Sequence, residues 1–445
     1  MKIGFIAMSG VRAHNEELTE LGLTLPGFVE RNKVIASLPS LSLLTLAALT
    51  PPKFEVEYRE VADLKAADLL PDDYDLVAIS TFSAQIFEAY SIADTYRQKG
   101  IPVVMGGLHV TSLPEEAKAH CTSVVVGEGE PLWPQVLADF ERHDLQPYYI
   151  QDPRGTYDLA DAPIPRFDLL EHSKYNRLTV QTSRGCPHLC DFCASSILLT
   201  PRYKVKPIPN VIAEIRAIKS FWSHPFIEFA DDNMFINRPH SRNLLRALTQ
   251  EKIHWFTETD ISVADDEHTL ALMRDSGCRM ILVGLESPRR ASLAGIELHA
   301  DWKMKQQVRY LEALDRIHSY GVCVIGCFVL GLDGDTPEIF DEVLDFTREA
   351  NLFDVQITFM TAFPGTPLYE RLKREGRLIK DRAWDLCTLF DPNITPRGMT
   401  LQQLQDGFLR LGKVLYSEEE MDARRHRFHA VEKAGRARHQ ASAHS

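Results

Sequence analysis

Thr182-Ser183-Arg184-Gly185-Cys186-Pro187-His188-Leu189-Cys190-Asp191-Phe192-Cys193 is the stretch that decides how the rest of the chain is read. Its cysteines are spaced C-x3-C-x2-C, directly after a run, Leu178-Thr179-Val180-Gln181-Thr182, that reads as a buried strand. Thiolates are soft ligands that suit iron–sulfur clusters, zinc or copper(I). Three on one short loop can hold three irons of a cubane and leave the fourth iron open to a small chelating ligand. A zinc site is the competing reading, with His188 joining Cys186, Cys190 and Cys193. Zinc sites usually pair two separated ligand couples, whereas these candidates are crowded into one tight loop.

Downstream, strand and helix patterns alternate. The strands read as Leu178–Thr182, Phe226–Ala230, Trp255–Thr259, Met280–Gly284, Val322–Leu330 and Asp354–Thr361. Between them the periodicity predicts helices over Pro209–Ser220, Ser241–Thr249, Asp266–Ser276, Lys303–His318 and Glu338–Glu349, the last capped by Asp335 or Thr336. Such units make a partial (β/α)6 barrel of the TIM type, with its site at the strand carboxyl ends. The cysteine loop follows the first strand, on that face. The other ends carry Asp231-Asp232-Asn233, Glu258-Thr259-Asp260, Gly284-Leu285-Glu286-Ser287 and Asp333-Gly334-Asp335. Carboxylates gathered at one mouth suit a sulfonium, an ammonium and ribose hydroxyls.

Upstream, residues 1–143 also alternate: strands Lys2–Met8, Phe54–Tyr58, Asp75–Ser80, Pro102–Met105 and Ser123–Val126, with helices Ser40–Thr50, Ala84–Lys99 and Pro131–Phe140. Residues 9–32 form an excursion without a clear period. The pattern predicts a parallel, Rossmann-like sheet of the flavodoxin type, whose ligands bind at the strand carboxyl ends. Ser80-Thr81, Gly106-Gly107-Leu108-His109 and Gly127-Glu128-Gly129-Glu130 lie there, and glycines let a backbone approach a large flat ligand. Residues 144–176, broken by Pro147, Pro153, Pro163 and Pro165, read as a linker in which Tyr148-Tyr149-Ile150 adds an edge strand. The barrel is expected over 177–375, a small helical C-terminal extension over 376–420, and a solvated or disordered tail over 421–445.

The net charge of −13, from 49 Lys and Arg against 62 Asp and Glu, argues against a general nucleic-acid binder. No run of 18 apolar residues predicts a transmembrane helix. Cys121, Cys278, Cys323, Cys327 and Cys387 are scattered through apolar segments, which implies a reducing, cytoplasmic compartment rather than a disulfide framework. Cys323 and Cys327 share one face of a strand and read as core.

The cysteine stretch, with Phe192 just before its last cysteine, resembles that of the radical S-adenosylmethionine enzymes. The run Val104-Met105-Gly106-Gly107-Leu108-His109-Val110-Thr111, with Pro114-Glu115-Glu116 and Val125-Val126-Gly127-Glu128-Gly129-Glu130, resembles the cobalamin-binding domain fused to some of them. Val283-Gly284-Leu285-Glu286-Ser287 and Phe363-Pro364-Gly365-Thr366-Pro367 match the same subgroup, as does the extension around Phe390-Asp391-Pro392. The resemblance implies a [4Fe–4S] cluster on Cys186, Cys190 and Cys193. It implies S-adenosylmethionine near Phe192, Asp231, Asp232, Glu258, Gly284 and Glu286, although the family's usual G-G-E is absent where Asp231-Asp232 stand. It implies cobalamin against Ser80, Thr81, Gly106, Gly107, His109, Gly127 and Glu128. The chain lacks the D-x-H-x-x-G hexapeptide, so no protein histidine is expected on the lower face of cobalt. The extension is expected to close the open side of the barrel.

The activity so implied is radical methylation of an unactivated carbon in a small molecule or natural product, fed by an external donor such as flavodoxin or ferredoxin. A ring closure or rearrangement with the same cofactors is the alternative, and a non-catalytic zinc- or cobalamin-binding protein is the alternative of another class. No side chain is assigned a catalytic role by the sequence.

Overall fold

The computed structural model describes residues 1–10, 13–21, 38–61, 70–152, 156–199 and 202–442. Most of the excursion over residues 9–32 lies outside them; within it a short helix, Glu16–Glu20, is capped by Asn15.

The first sheet holds β1 (Lys2–Met8), β2 (Glu55–Val61), β3 (Leu76–Ser80), β4 (Val103–Gly106), β5 (Ser123–Val126) and β6 (Tyr148–Ile150). They run parallel in the order β2-β1-β3-β4-β5-β6, the flavodoxin order with one further strand. Both faces are covered, which is why β1 and β3 are almost continuously apolar. Alternate β1 side chains serve opposite faces. Ile3 and Phe5 meet Leu44 of helix Leu41–Leu49 and Trp133 of helix Trp133–Glu141, while Ile6 and Met8 join Ile86 and Tyr90 of helix Ile86–Gln98.

Tyr148–Ile150 is the expected edge strand. The helix expected from Pro131 starts at Trp133, and Pro134 takes the first-turn position. Two short helices, Leu108–Ser112 and Pro114–Lys118, were not legible, since five residues show no period.

The second sheet holds β7 (Leu178–Val180), β10 (Phe226–Phe229), β11 (His254–Thr259), β12 (Cys278–Glu286), β13 (Cys323–Leu330) and β14 (Asp354–Phe359). These are parallel in the order β14-β13-β12-β11-β10-β7, each beside its sequence neighbour, and β7 is not paired with β14. The sheet is therefore the expected partial barrel, open on one side. A small antiparallel ribbon, β8 (Ser183–Arg184) with β9 (Lys204–Val205), frames the cysteine loop.

Three expectations need correction. The helix Lys303–His318 is broken into Trp302–Gln306, a 3-10 turn Gln307–Arg309, and Tyr310–Ser319. Asp335 does not cap helix Ile339–Glu349: its carboxylate is buried and accepts from the backbone N–H groups of Gly331 and Leu332 and from Ser292 Oγ, fixing the turn after β13. The tail is no loose end, because Glu418–Ser442 is one helix. Phe428 packs edge-on against His318 and Phe353, and Arg424 is buried, donating to Leu415 O. Highly charged composition hid the few apolar side chains that dock it.

The extension lies partly along the open side, where Leu389 O accepts from the Phe359 N–H on the free edge of β14 and Asn393 bonds to Ala362. Helix Leu401–Leu415 stands outside β14, with Phe408 stacked on Phe359 at 3.9 Å and Tyr416 Oη donating to Val355 O. It joins the outer helix layer rather than covering the mouth. The segment before it straps the sheets together: Trp384 Nε1 and Arg382 both reach Glu116, and the Trp384 ring meets His109 edge-on. Among the described residues no helix is long and apolar enough to cross a membrane.

Candidate active site

The cysteine loop leaves β7 at the carboxyl edge of the barrel and is anchored from below. Asp231 Oδ1 accepts from the backbone N–H of Thr182 and Ser183 at 2.7 and 3.0 Å, and its other oxygen takes the Thr182 hydroxyl. The residue is 3% exposed, and burial pushes its carboxyl up to about 6. Asp231 therefore braces the loop and is not open to a ligand, contrary to the expectation from sequence. Asp232 is half-buried and accepts from Gly185 N–H at 2.7 Å and from the Ser195 hydroxyl. It stands beside Cys186.

Cys190 is 6% exposed, and Cys186 and Cys193 are half-buried. Burial pushes the Cys186 thiol up to about 11 and Cys190 higher still; Cys193 adds to both. Asn233 donates to Cys186 and, at 2.7 Å, to Asp260 Oδ2. His188 is turned away from the thiols. Its ring nitrogens face Asp260 at 3.2 Å and Glu297 at 3.7 Å, and the ring stacks on Trp302 at 4.4 Å. Among the described residues no three Cys, His, Asp or Glu side chains converge on a point where one metal ion would sit. Tetrahedral zinc requires such convergence; a cubane does not, because each thiolate holds a different iron. With His188 engaged by Asp260, Glu297 and Trp302, the three thiols of the loop remain, a donor set that fits the cluster.

A lysine the sequence did not single out stands next to this loop. Lys303 is 7% exposed and its Nζ donates to Glu286 Oε1 at 2.7 Å and to Gly284 O at 3.0 Å. The register of β12 against β13 slips between Gly284 and Glu286, and Glu286 adopts φ +61°. A Cβ on Gly284 would fall 2.7 Å from Glu286 Oε1, so the glycine makes room for this pair. Glu286 and Gly284 thus face a buried ammonium of the protein itself.

Glu258 lies differently. Phe256, on the same face of β11, joins Met280 and Ile325 in the barrel floor, so Glu258 two residues on points into the lumen above them. Its side chain is exposed to the open lumen, and among the described residues no donor reaches its carboxylate. Its place in the lumen pushes it up to about 8, with the charges of Glu228, Asp232 and Glu286 adding. Glu228 and Glu286 are balanced by Arg177 and Lys303. Cys327 faces the same lumen beside Glu286 and Glu258, and half-open Phe192 packs against the second hydrophobic cluster.

At the edge of the first sheet, half-buried Ser80, Gly106, Gly107 and Gly127 present mostly bare backbone. Gly107 (φ +101°) could not carry a side chain without crowding: a Cβ would stand 3.0 Å from Ser80 Oγ. This edge fits a flat macrocycle. Thr81 is buried and turned to Gln85. Two other expected contacts are directed elsewhere. His109 is fully buried, between Ser83 Oγ at 3.1 Å and Glu116 Oε1 at 3.3 Å. Glu128 is paired with Arg184 and Lys204 of the ribbon around the cysteine loop. The two mouths are therefore in direct contact; helix Leu108–Ser112 also packs on Ser195–Leu199, just after Cys193.

Residues 180–347 match the radical SAM superfamily, residues 34–137 the B12 binding domain, and residues 366–444 a domain of unknown function. A hopanoid C-2 methylase from Rhodopseudomonas palustris is 30% identical over 361 residues, covering 78% of this chain and 67% of the relative. The chain belongs to the cobalamin-dependent radical S-adenosylmethionine enzymes. A bacteriochlorophyllide d C-8(2)-methyltransferase from Chlorobaculum tepidum is 28% identical over 367 residues, covering 78% of each chain. The fold resembles that of TsrM, a radical S-adenosylmethionine methyltransferase from Kitasatospora setae, with a TM-score of 0.65 and 15% identity over 84% of this chain and 75% of that one. A [4Fe–4S] cluster, S-adenosylmethionine and cobalamin are the cofactors of this methyltransferase family, which the chain joins as an enzyme acting on a small molecule.

Proposed function

We propose that the enzyme transfers a methyl group to an unactivated carbon of a small natural product. One observation carries the reading: loops from the carboxyl ends of both sheets touch, through Arg184 and Lys204 on one side and Glu128 and Glu130 on the other. A radical generator on one edge and a methyl carrier on the other then share one space. The relatives named for methylating a bacteriochlorophyllide and a hopanoid support a natural-product substrate. When bound, the cluster and S-adenosylmethionine supply a 5′-deoxyadenosyl radical that removes a hydrogen atom, and methylcobalamin supplies the methyl group.

In this reading Cys186, Cys190 and Cys193 hold the cluster, while Asp231, Asp232 and Asn233 fix the loop. Glu258 offers S-adenosylmethionine a lumen carboxylate, with Phe192, Asp232 and the Gly284 backbone as further walls. Ser80, Gly106, Gly107 and Gly127 form the corrin seat, while Thr81 is turned to Gln85 behind it. His109, engaged behind the seat by Ser83 and Glu116, would not be free to serve as a cobalt ligand. Residues 1–143 and 177–375 are the two cofactor domains, joined by 144–176. One-electron reduction comes from an external flavodoxin or ferredoxin, and a cytoplasmic setting suits cysteines that are all free.

The deciding experiment supplies methyl-labelled S-adenosylmethionine and candidate substrate under reducing, anaerobic conditions. Expected per methylated product are one S-adenosylhomocysteine and one 5′-deoxyadenosine, counted by mass spectrometry. Turnover giving 5′-deoxyadenosine, no S-adenosylhomocysteine and no label in the product would replace methyl transfer by ring closure or rearrangement.

Glu258 gives a pH dependence. Its place in the lumen and the charges of Glu228, Asp232 and Glu286 raise its carboxyl in the ligand-free protein, so part of it is protonated near neutral pH. The sulfonium of S-adenosylmethionine is a permanent cation and favours the ionised form. Affinity should therefore rise with pH up to about 8 and then level, by roughly tenfold between pH 6.5 and 8.5. The amino group of the ligand titrates in the same range, so the readout is the difference between wild type and Glu258→Gln in equilibrium binding. Parallel pH profiles would remove Glu258 from the ligand's reach.

A further inference from the structure

The groups that join the two mouths are charged, enclosed and in register. Arg184 and Lys204 face one another across the β8–β9 ribbon. Both reach one carboxylate, Glu128, in the turn after β5. Arg184 sets another nitrogen 2.7 Å from Glu130 Oε1 and its Nε 3.1 Å from Gln181 Oε1, at the end of β7. Glu128 is held from behind, its second oxygen accepting from Gln151 Nε2 at 3.0 Å and from the Tyr157 N–H at 3.1 Å. Side-chain exposure is 19% for Arg184, 15% for Lys204 and 6% for Glu128, so these are partly desolvated, charge-assisted bonds and not surface pairs. Burial alone would push the Glu128 carboxyl up; Lys204, Gln151, the Tyr157 N–H and Arg184 outweigh it and hold it at about 2. The Glu128 carboxylate is ionised at any working pH.

The location of this tether is what separates it from an ordinary stabilising network. One end is two residues before Cys186, with only Gly185 between, and Gly185 is itself fixed by its bond to Asp232. The other end follows Gly127 directly, on the edge where the corrin seat lies. The chain has little slack at either end.

We infer that Arg184 is a positioning residue that sets the separation and orientation of the cluster relative to cobalamin by holding the cysteine loop against the Glu128–Glu130 turn. The inference rests on the proposed seats of those two cofactors. Hydrogen removal and methyl delivery must address one carbon, and a displacement of about 1 Å can cost roughly a hundredfold in rate. Loosening the tether then uncouples the two events while leaving each cofactor bound.

The test uses Arg184→Gln in the full chain, reconstituted with cluster and cobalamin. Pulsed electron paramagnetic resonance measures the dipolar coupling between the reduced cluster and cobalt(II) cobalamin, each with one unpaired spin, and needs no substrate. Wild type should give one narrow distance. The variant, with unchanged iron and cobalamin content, should give a broadened or displaced one, and in turnover about tenfold more 5′-deoxyadenosine per methylated product. Coupling and ratio identical to wild type would overturn the inference alone. Both cofactors bound in wild type with no measurable coupling would remove the proposed seats and the inference together. Should Arg184→Gln not fold, Glu130→Gln removes one arm and is read the same way: broadening supports the tether, and an unchanged distribution overturns it.

Discussion

Replacing Cys190 by alanine should abolish cleavage of S-adenosylmethionine and remove most of the bound iron. The drop should be about a thousandfold or more, the scale of deleting a group on which the chemistry depends. Each cysteine of the loop is proposed to hold one iron, so no neighbour can substitute for it. Burial holds Cys190 as a neutral thiol in the ligand-free loop. Cluster assembly must therefore release its proton, and the nearby Lys303 ammonium favours the thiolate. Cys186→Ala and Cys193→Ala should behave alike. Cys121→Ala, in the first sheet, and Cys323→Ala, at the amino end of β13, should keep full iron and activity. Iron content and 5′-deoxyadenosine formation after anaerobic reconstitution are the measurements. Iron lost from Cys323→Ala but retained in Cys190→Ala would sink the ligand assignment.

The elements that repeat a physical pattern were legible in the sequence. A buried parallel strand is a short apolar run between turn residues, and the long strands of both sheets stand within a residue or two of expectation, except β2, which runs three residues past its expected end at Tyr58. The cysteine spacing and the glycines after β4 and β5 were legible too, because a ligand loop and a left-handed turn each demand particular residues. What the sequence hid is where side chains point. Asp231, Glu128 and His109 read as ligand contacts because they stand at strand carboxyl ends, yet each is held by a protein partner contributed from a distant segment. Thr182 and Ser183 hold Asp231, Arg184 and Lys204 hold Glu128, and Ser83 and Glu116 hold His109. Position on an edge is local information, whereas the partner that claims a carboxylate is tertiary. The terminal helix Glu418–Ser442 is the same lesson in another form, since its composition is that of a solvated segment and only the docking of Phe428 and Arg424 gives it an inner side.

Lys303→Met should lower the stability of the barrel by about 3–5 kcal/mol, the usual effect of removing one partner of a buried ion pair. Lys303 lies on a broken helix after β12, far in sequence from any motif, and nothing local marks it. Its ammonium is nonetheless the partner of Glu286 at 2.7 Å and of the Gly284 carbonyl at 3.0 Å. Methionine conserves much of the volume but leaves Glu286 as an uncompensated charge, 7% exposed, in a left-handed conformation it cannot easily leave. Thermal unfolding of the apo protein should fall by roughly 10 °C, taking about 2–4 °C per kcal/mol for a unit of this size. Lys303→Met combined with Glu286→Leu should recover most of the loss, because the stranded charge is gone. The two variants also separate stability from chemistry: Lys303→Met alone removes the ammonium that favours the Cys190 thiolate and makes the thiol a weaker acid, whereas the double variant also removes the opposing Glu286 charge and should shift it less. A single variant that melts with wild type, or a double variant that is no more stable than the single, would mean that Lys303 and Glu286 are not coupled and that the wall beside Cys190 is held by packing alone.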